Sequence, residues 1–397
     1  MKKKIIIFAN YFCAWDGGVD IFKHWLSCIN SLKKKKLELI VVLPKNNVIS
    51  LLKKIAYPYF FFIKNFFFEK KMIFKKWPYW QGATDIGNYI KLNLNKNIQI
   101  IYSDYSQKKK LLDKYNGQIF FPSIDEVLSK NSLGYIFDLQ HEYLNKNFSK
   151  NEIKIRRKKI KNLFNLNKVL VNSYKTKKDL LNFHKNFKRN QISVIPFAPS
   201  EVYFRIEKNT KNNDFFFKNF YIVCNKFWKH KNHITVLKAF SIYKKSGGKN
   251  NLLFTGDNKD LRSKKIIDKI ERFIIQRNLS DYIKITGRLS KQDQLSLLNN
   301  SKALIQPTLF EGGPGGGSVY DAIALDKPVI ISDIDINKEI KYNKLLFFNP
   351  NNYKDLNKKL FFFEKKYFKK NQNNFLKTNL NLRKKCGKFL LNAFSYL

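Results

Sequence analysis

ALIQPTLFEGGPGGGSVYD, residues 303–321, runs from a short apolar segment through a glycine cluster into a helical pattern. Ala303 to Gln306 reads as a buried strand and Val319 to Leu325 as the start of a helix. Between them, Gly312, Gly313, Gly315, Gly316 and Gly317 let the backbone approach a ligand closely and turn its N–H groups inward. The helix that follows adds a positive N-terminal end, so the segment suits a phosphate; a plain surface loop is the competing reading. No Gly-Lys-Ser/Thr follows the glycines, no G-x-G-x-x-G follows a strand, and no G-x-S-x-G elbow occurs. Nucleoside triphosphate hydrolysis and serine hydrolase chemistry are therefore disfavoured.

Working outward, apolar runs recur on both sides of this segment. Ile5–Ala9, Leu37–Leu43, Ile98–Tyr102, Gln118–Phe121, Tyr135–Asp138, Val169–Asn172 and Ile192–Pro196 form one series of expected strands. Tyr221–Cys224, Leu252–Thr255, Ile283–Thr286, Ala303–Gln306 and Pro328–Ile331 form a second, after the polar stretch Glu207–Asn213. Val19, Phe22, Leu26, Ile29 and Leu32 recur at helical spacing between the first two strands, which makes a β-α-β unit. The pattern predicts an α/β protein of two doubly wound parallel-sheet, Rossmann-like domains, with binding loops at the carboxyl ends of the strands. Expected boundaries are 1–205, 206–375 and, for a C-terminal amphipathic helix docked on a domain, 376–397. That helix carries the stripe Leu382, Cys386, Phe389, Leu390, Ala393 and Leu397. Ser149 with Glu152 predicts a capping box ahead of a helix with a solvated basic face.

The chain's 397 residues exceed the usual single-core ceiling of roughly 250–300, in keeping with two domains. Lys and Arg number 76 against 30 Asp and Glu, a net charge of +46 that attracts nucleic acids, acidic lipids and nucleotide phosphates alike. A bias toward Lys, Asn, Phe and Ile throughout the chain explains part of that excess without any partner. Cys13, Cys28, Cys224 and Cys386 lie far apart, which suits reduced packing thiols in a cytosol better than a disulfide framework or a zinc site. The apolar run Ile55–Ile63 falls short of the ~20 residues a bilayer requires. The N-terminal run ends too soon for a signal peptide, so a cytoplasmic protein is expected. The aromatic and basic segment Phe60–Trp80 could instead lie on an anionic membrane surface, at the inner face of the cytoplasmic membrane, or be a strand and helix of the first domain.

Two further loops bear on chemistry. In NKFWKHKNH, after the first strand of the second series, Lys226 and Lys231 can converge on a diphosphate, although a basic chain supplies many such pairs by chance. In DGGVD, after the first strand of the chain, Gly17 and Gly18 allow close approach of a phosphate or sugar, or simply make a tight turn. His141 sits in a polar loop, FDLQHEY, where a histidine is more often structural. Asp333 and Asp335 form an Asp-x-Asp, and His230 and His233 lie three apart, but neither pair has the setting of a metal site.

In that order, NKFWKHKNHITVLKAF, TGDNKD, TGRLSKQDQ, QPTLFEGGPGGGSVYDAIALDKPVIISD and INKEI resemble the donor-binding domain of glycosyltransferase family 4. DGGVD, FDLQHEYLNKNFS and VNSYKTKKDLL resemble its acceptor domain more loosely. The resemblance implies a GT-B architecture with a nucleotide sugar in a cleft, retention of anomeric configuration and no metal or other cofactor. It implies that Lys226 and Lys231 hold the donor diphosphate, that Glu311 reaches the donor sugar, and that His141 faces the sugar near the reacting carbon. The ribose ligand of the family corresponds to Asp321 only if the spacing has gained two residues and Glu has become Asp. Gly17, Gly18 and the amides of Gly315, Gly316, Gly317 and Ser318 would help stabilise the leaving diphosphate. The expected acceptor is lipid-linked or a polysaccharide, in bacterial cell-surface glycan assembly. A nucleic-acid-binding protein without catalysis is the alternative, weakened by the lack of a nucleic-acid motif.

Overall fold

The computed structural model describes residues 4–32, 38–45, 80–94, 98–104, 107–124, 126–201, 219–257, 261–365 and 372–395, with a few positions between 52 and 63. Apart from Phe60, Ile63 and Trp80, the segment considered for membrane contact lies outside the described residues. Among the described residues no helix is long and apolar enough to cross a membrane.

The chain forms two compact units, each built on one parallel sheet. The first comprises Met1–Asn172, Thr176–Pro196 and Leu380–Leu397, and the second Ser173–Lys175 and Phe197–Asn379. Strands β1 (Lys4–Phe8), β2 (Glu38–Pro44), β3 (Ile98–Ser103), β4 (Ile119–Ser123), β5 (Ser132–Ile136), β6 (Lys168–Val171) and β7 (Ile192–Val194) make the first sheet, in the order β3-β2-β1-β4-β5-β6-β7. The second contains β8 (Phe220–Cys224), β9 (Asn251–Thr255), β10 (Ile283–Ile285), β11 (Ala303–Gln306), β12 (Val329–Ser332) and β13 (Leu345–Phe348), in the order β10-β9-β8-β11-β12-β13. All the strand pairs are parallel, and the continuous apolar runs follow from burial of both sheet faces. Ile5 and Ile6 of β1, like Ile222 and Val223 of β8, have no exposed surface.

Strand order reverses between β1 and β4 in the first sheet and between β8 and β11 in the second. Neighbouring strands there send their following loops to opposite sides, which leaves a crevice at the carboxyl ends. The loop after β8 carries Lys226 and Lys231, and the loop after β11 carries Glu311 and the glycines. Two segments far apart in sequence are thus delivered to one switch point.

The terminal helix Gln372–Ser395 ends in the first unit, where Phe394 lies edge-on to Phe121 at 5.5 Å. Gly387 permits that packing, because a Cβ there would stand 2.2 Å from the carbonyl oxygen of Cys28. Cys28 and Cys386, distant in sequence, become neighbours. β5 begins at Ser132, three residues before the start expected from Tyr135, and β13 was not expected at all.

Candidate active site

A buried amide organises the second unit's switch point. Gln306, at the end of β11, donates from Nε2 to the Gly315 carbonyl at 2.7 Å and to Glu311 Oε1 at 3.2 Å. Its Oε1 accepts from Asn225 Nδ2 at 2.9 Å and from Ser318 Oγ at 3.4 Å. Asn337 holds the other side of the loop, accepting from the Gly315 N–H at 2.9 Å and donating to the Ser332 carbonyl at 2.9 Å. Both amides are essentially unexposed, and each matches donors and acceptors that burial would otherwise leave unpaired.

The loop these bonds hold needs glycine at two places. Gly315 and Gly316 have φ of 74° and 72°, a region costly for residues with a Cβ. At Gly316 a Cβ would also approach Glu311 Oε2 to 3.1 Å. Gly317 opens the helix Gly317–Ala324, whose first N–H groups lie outside its own hydrogen-bond ladder. Gly315 differs from the sequence expectation: its N–H is engaged by Asn337, so it shapes the loop, and the amides of Gly316, Gly317 and Ser318 remain at the helix start.

Glu311 accepts a charge-assisted bond from Lys231 Nζ at 2.6 Å, with both side chains mostly buried. The Leu309 N–H donates to the His230 carbonyl at 2.8 Å, so backbone as well as side chain ties the two loops together. Lys226 places its ammonium 5.5 Å from the Trp228 ring centroid. The structure therefore brings Lys231 and Glu311 together, while Lys226 borders the same turn. Asp321 lies inside the helix after the loop, its carboxylate 2% exposed and bonded to Lys291 Nζ at 2.6 Å. Lys291 follows the N-cap Ser290, whose Oγ accepts from the Asp293 N–H at 3.1 Å.

Sequence reasoning missed Gln306, Asn225, Asn337 and Lys291. Gln306 left one clue, a polar residue closing an apolar strand. Asp333 pairs with Lys338 at 3.1 Å, and His233 stacks on Phe227 at 4.6 Å with its pKa pushed down to about 3, first by burial and then by Lys231.

Gly17, Gly18 and His141 belong to the first unit. The two glycines lie in the first turn of the helix Asp16–Asn30, and a Cβ on either would strike the Trp15 indole, at 2.4 Å for Gly17 and 2.6 Å for Gly18. At Gly18 a Cβ would also stand 2.7 Å from the Phe12 carbonyl oxygen, so packing against backbone requires glycine at that position. His141, in the short helix Gln140–Tyr143, is 1% exposed, and neither ring nitrogen has a hydrogen-bond partner among the described residues. Burial pushes its pKa down to about 4 against the pull of Glu142, whose carboxylate stands 3.4 Å away. Arg157 grips Glu142 with two bonds, at 2.8 and 2.6 Å, which holds that carboxyl below the usual range.

Residues 205–381 match the family described as glycosyl transferases group 1. The O-antigen chain mannosyltransferase RfbU of Salmonella typhimurium is 27% identical over 186 residues, covering 47% of this chain and 48% of that protein. The aligned region thus spans about half the length of that curated relative. Among solved structures, Anabaena HepE in complex with UDP covers 100% of both chains with a TM-score of 0.59 at 10% identity. A glycosyltransferase from Rickettsia africae covers 100% of this chain and 94% of its own, with a TM-score of 0.59 at 16% identity. WaaG, a glycosyltransferase involved in lipopolysaccharide biosynthesis, gives 0.55 at 10% identity over 97% of this chain and 95% of that one. In fold the protein is a GT-B structure of two parallel-sheet domains, and its second unit carries the sequence match to glycosyl transferases group 1.

Proposed function

We propose that the protein is a retaining glycosyltransferase of the family 4 type, moving a sugar from a nucleoside diphosphate sugar to a lipid-linked or polysaccharide acceptor. The observation that carries this reading is the Lys231–Glu311 pair, fixed by Gln306 beside a glycine loop and a helix start, within the residues that match glycosyl transferases group 1.

Breaking a sugar–phosphate bond puts positive charge on the sugar ring and negative charge on the departing diphosphate. Lys231, Lys226 and the amides of Gly316, Gly317 and Ser318 are the donors for that diphosphate. A bound phosphate competes with Glu311 for the Lys231 ammonium, and Glu311 is then released to orient sugar hydroxyls. Asp321, with Lys291 beside it, is the candidate for the ribose. His141, neutral near pH 7, supplies a hydrogen-bonding imidazole to the sugar once uncovered. The acceptor hydroxyl forms its bond to the anomeric carbon as the bond to phosphate breaks on the same face, and its proton leaves with the diphosphate.

Thermal denaturation with a panel of nucleoside diphosphates and their sugar conjugates tests the proposal. One base should raise the midpoint, and Lys231→Ala should abolish that shift while the protein stays folded. Full protection of Lys231→Ala would remove the diphosphate site.

A further inference from the structure

His24, Cys28 and Cys386 place one imidazole nitrogen and two sulfurs within 4.8 Å of one another in the first unit. His24 and Cys28 lie one turn apart on the helix Asp16–Asn30, on one face, and Cys386 comes from the terminal helix packed against it. Both sulfurs belong to residues with no exposed surface, while His24 is partly exposed. Cys28 Sγ lies 3.7 Å from His24 Nε2.

We propose that these three side chains bind one thiophilic cation, zinc being the natural fit, and so clamp the terminal helix to the first unit. Zinc–sulfur bonds of ~2.3 Å and zinc–nitrogen bonds of ~2.0 Å at tetrahedral angles put neighbouring ligand atoms about 3.5–3.8 Å apart. The sulfur–nitrogen edge already has that length, and the remaining edges reach it by moving Cys386 by at most about 1 Å. Two thiolates with an imidazole favour zinc over harder cations such as magnesium or calcium. Binding converts both thiols to thiolates, which releases two protons and offsets the charge that buried thiolates would otherwise carry. A disulfide between the two cysteines would use the same sulfurs and compete with the metal for them.

The test uses the full chain, purified with reductant, stripped with chelator and titrated with Zn²⁺ or Co²⁺. One equivalent of Zn²⁺ should bind and raise the thermal midpoint by on the order of 5 °C. Co²⁺ should give thiolate-to-metal charge-transfer absorption. His24→Ala, at a partly exposed position that leaves the core filled, should weaken binding at least about tenfold, and Cys386→Ser should abolish the cobalt band. Cys224→Ala, a thiol of the other unit, should keep both signals. No charge-transfer band in the reduced protein, undiminished binding by His24→Ala, or recovery of a Cys28–Cys386 disulfide without metal uptake would each overturn the proposal.

Discussion

The two units share a sheet plan and differ in how their polar groups are settled. In the second, Gln306 and Asn337 spend their hydrogen bonds on Asn225, Glu311, Gly315, Ser318 and Ser332, so the loop at the switch point has its shape before any ligand arrives. In the first, His141 is buried with both ring nitrogens lacking partners among the described residues, beside a carboxylate held by Arg157. Preorganised donors cost little reorganisation when charge develops, whereas an unsatisfied buried group stores a penalty that a partner would relieve. One unit holds its loop in a fixed shape, which under the proposed function suits a constant ligand feature such as a diphosphate. The other keeps a group in reserve.

The largest expected effect falls on the prebuilt side. Glu311→Ala should lower transfer by about 10²–10³-fold, the scale seen when one oriented polar group leaves a transition state, and lower the thermal midpoint by a few degrees, because the mostly buried Lys231 ammonium loses its carboxylate. Turnover assayed as nucleoside diphosphate release, together with a melting curve, checks both halves. Transfer within a few-fold of wild type would show that the fixed loop is not where catalysis is decided.

Next is the reserved imidazole. Histidine ordinarily titrates near 6.5, and His141 is pushed down to about 4, by burial first. Between those values the unfolded chain takes up a proton that the folded one refuses. Its contribution is therefore whole above pH 6.5 and is lost as pH falls toward 4, by about 3 kcal/mol in all. His184 and His233 are also lowered and steepen the raw slope, so the quantity to measure is the difference between wild type and His141→Gln in urea midpoints from pH 7 to 4. Parallel curves would mean that the ring is not held neutral by its surroundings.

Sequence and structure agree where the signal is local. The strand 303–306 was expected with the same ends, and Ser149 forms the capping box that its spacing with Glu152 predicted. β5 starts earlier than expected because Ser132 and Gly134 look like turn residues, although burial between β4 and β6 suits them: at Gly134 a Cβ already meets Leu166 and Val169 at 3.0 Å. β13 escaped because LLFF, four apolar residues after a Lys- and Asn-rich stretch, fits a strand or a buried helix equally well. Lys231 was legible as one of two lysines in the loop after a strand and Glu311 as the charge opening the glycine loop, with their roles supplied by the family resemblance. Gln306, by contrast, gains its role from Asn225, 81 positions away, and the link between Asp321 and Lys291 spans 30. Such partners are set by strand order, which composition and periodicity do not carry.

Removing Gln306 sharpens the comparison at a smaller scale. Gln306→Leu keeps the volume but leaves Asn225 Nδ2 and the Gly315 carbonyl without their bonds, which should cost about 1–3 kcal/mol and lower the midpoint by a few degrees. Protection by nucleoside diphosphate should weaken in parallel. A stable variant that still binds would mean that the glycine loop holds its shape without the amide.

The smallest effects separate the units most cleanly, because each has a serine at an exposed helix start. Ser149 accepts from the Glu152 N–H at 3.2 Å and Ser290 from the Asp293 N–H at 3.1 Å, so alanine at either should cost ~1 kcal/mol. Their consequences for binding should differ. Lys150 follows Ser149 on a basic helix, whereas Lys291 follows Ser290 and reaches the buried Asp321 carboxylate. Loosening the second cap frees the backbone that aims Lys291, so Ser290→Ala should weaken nucleoside diphosphate binding by several-fold beyond its stability cost, and Ser149→Ala should not. Denaturant midpoints and thermal-shift titrations on the two variants measure both quantities. Equal binding in both would place Lys291 and Asp321 outside the ligand site and restrict the second unit's function to the loop held by Gln306.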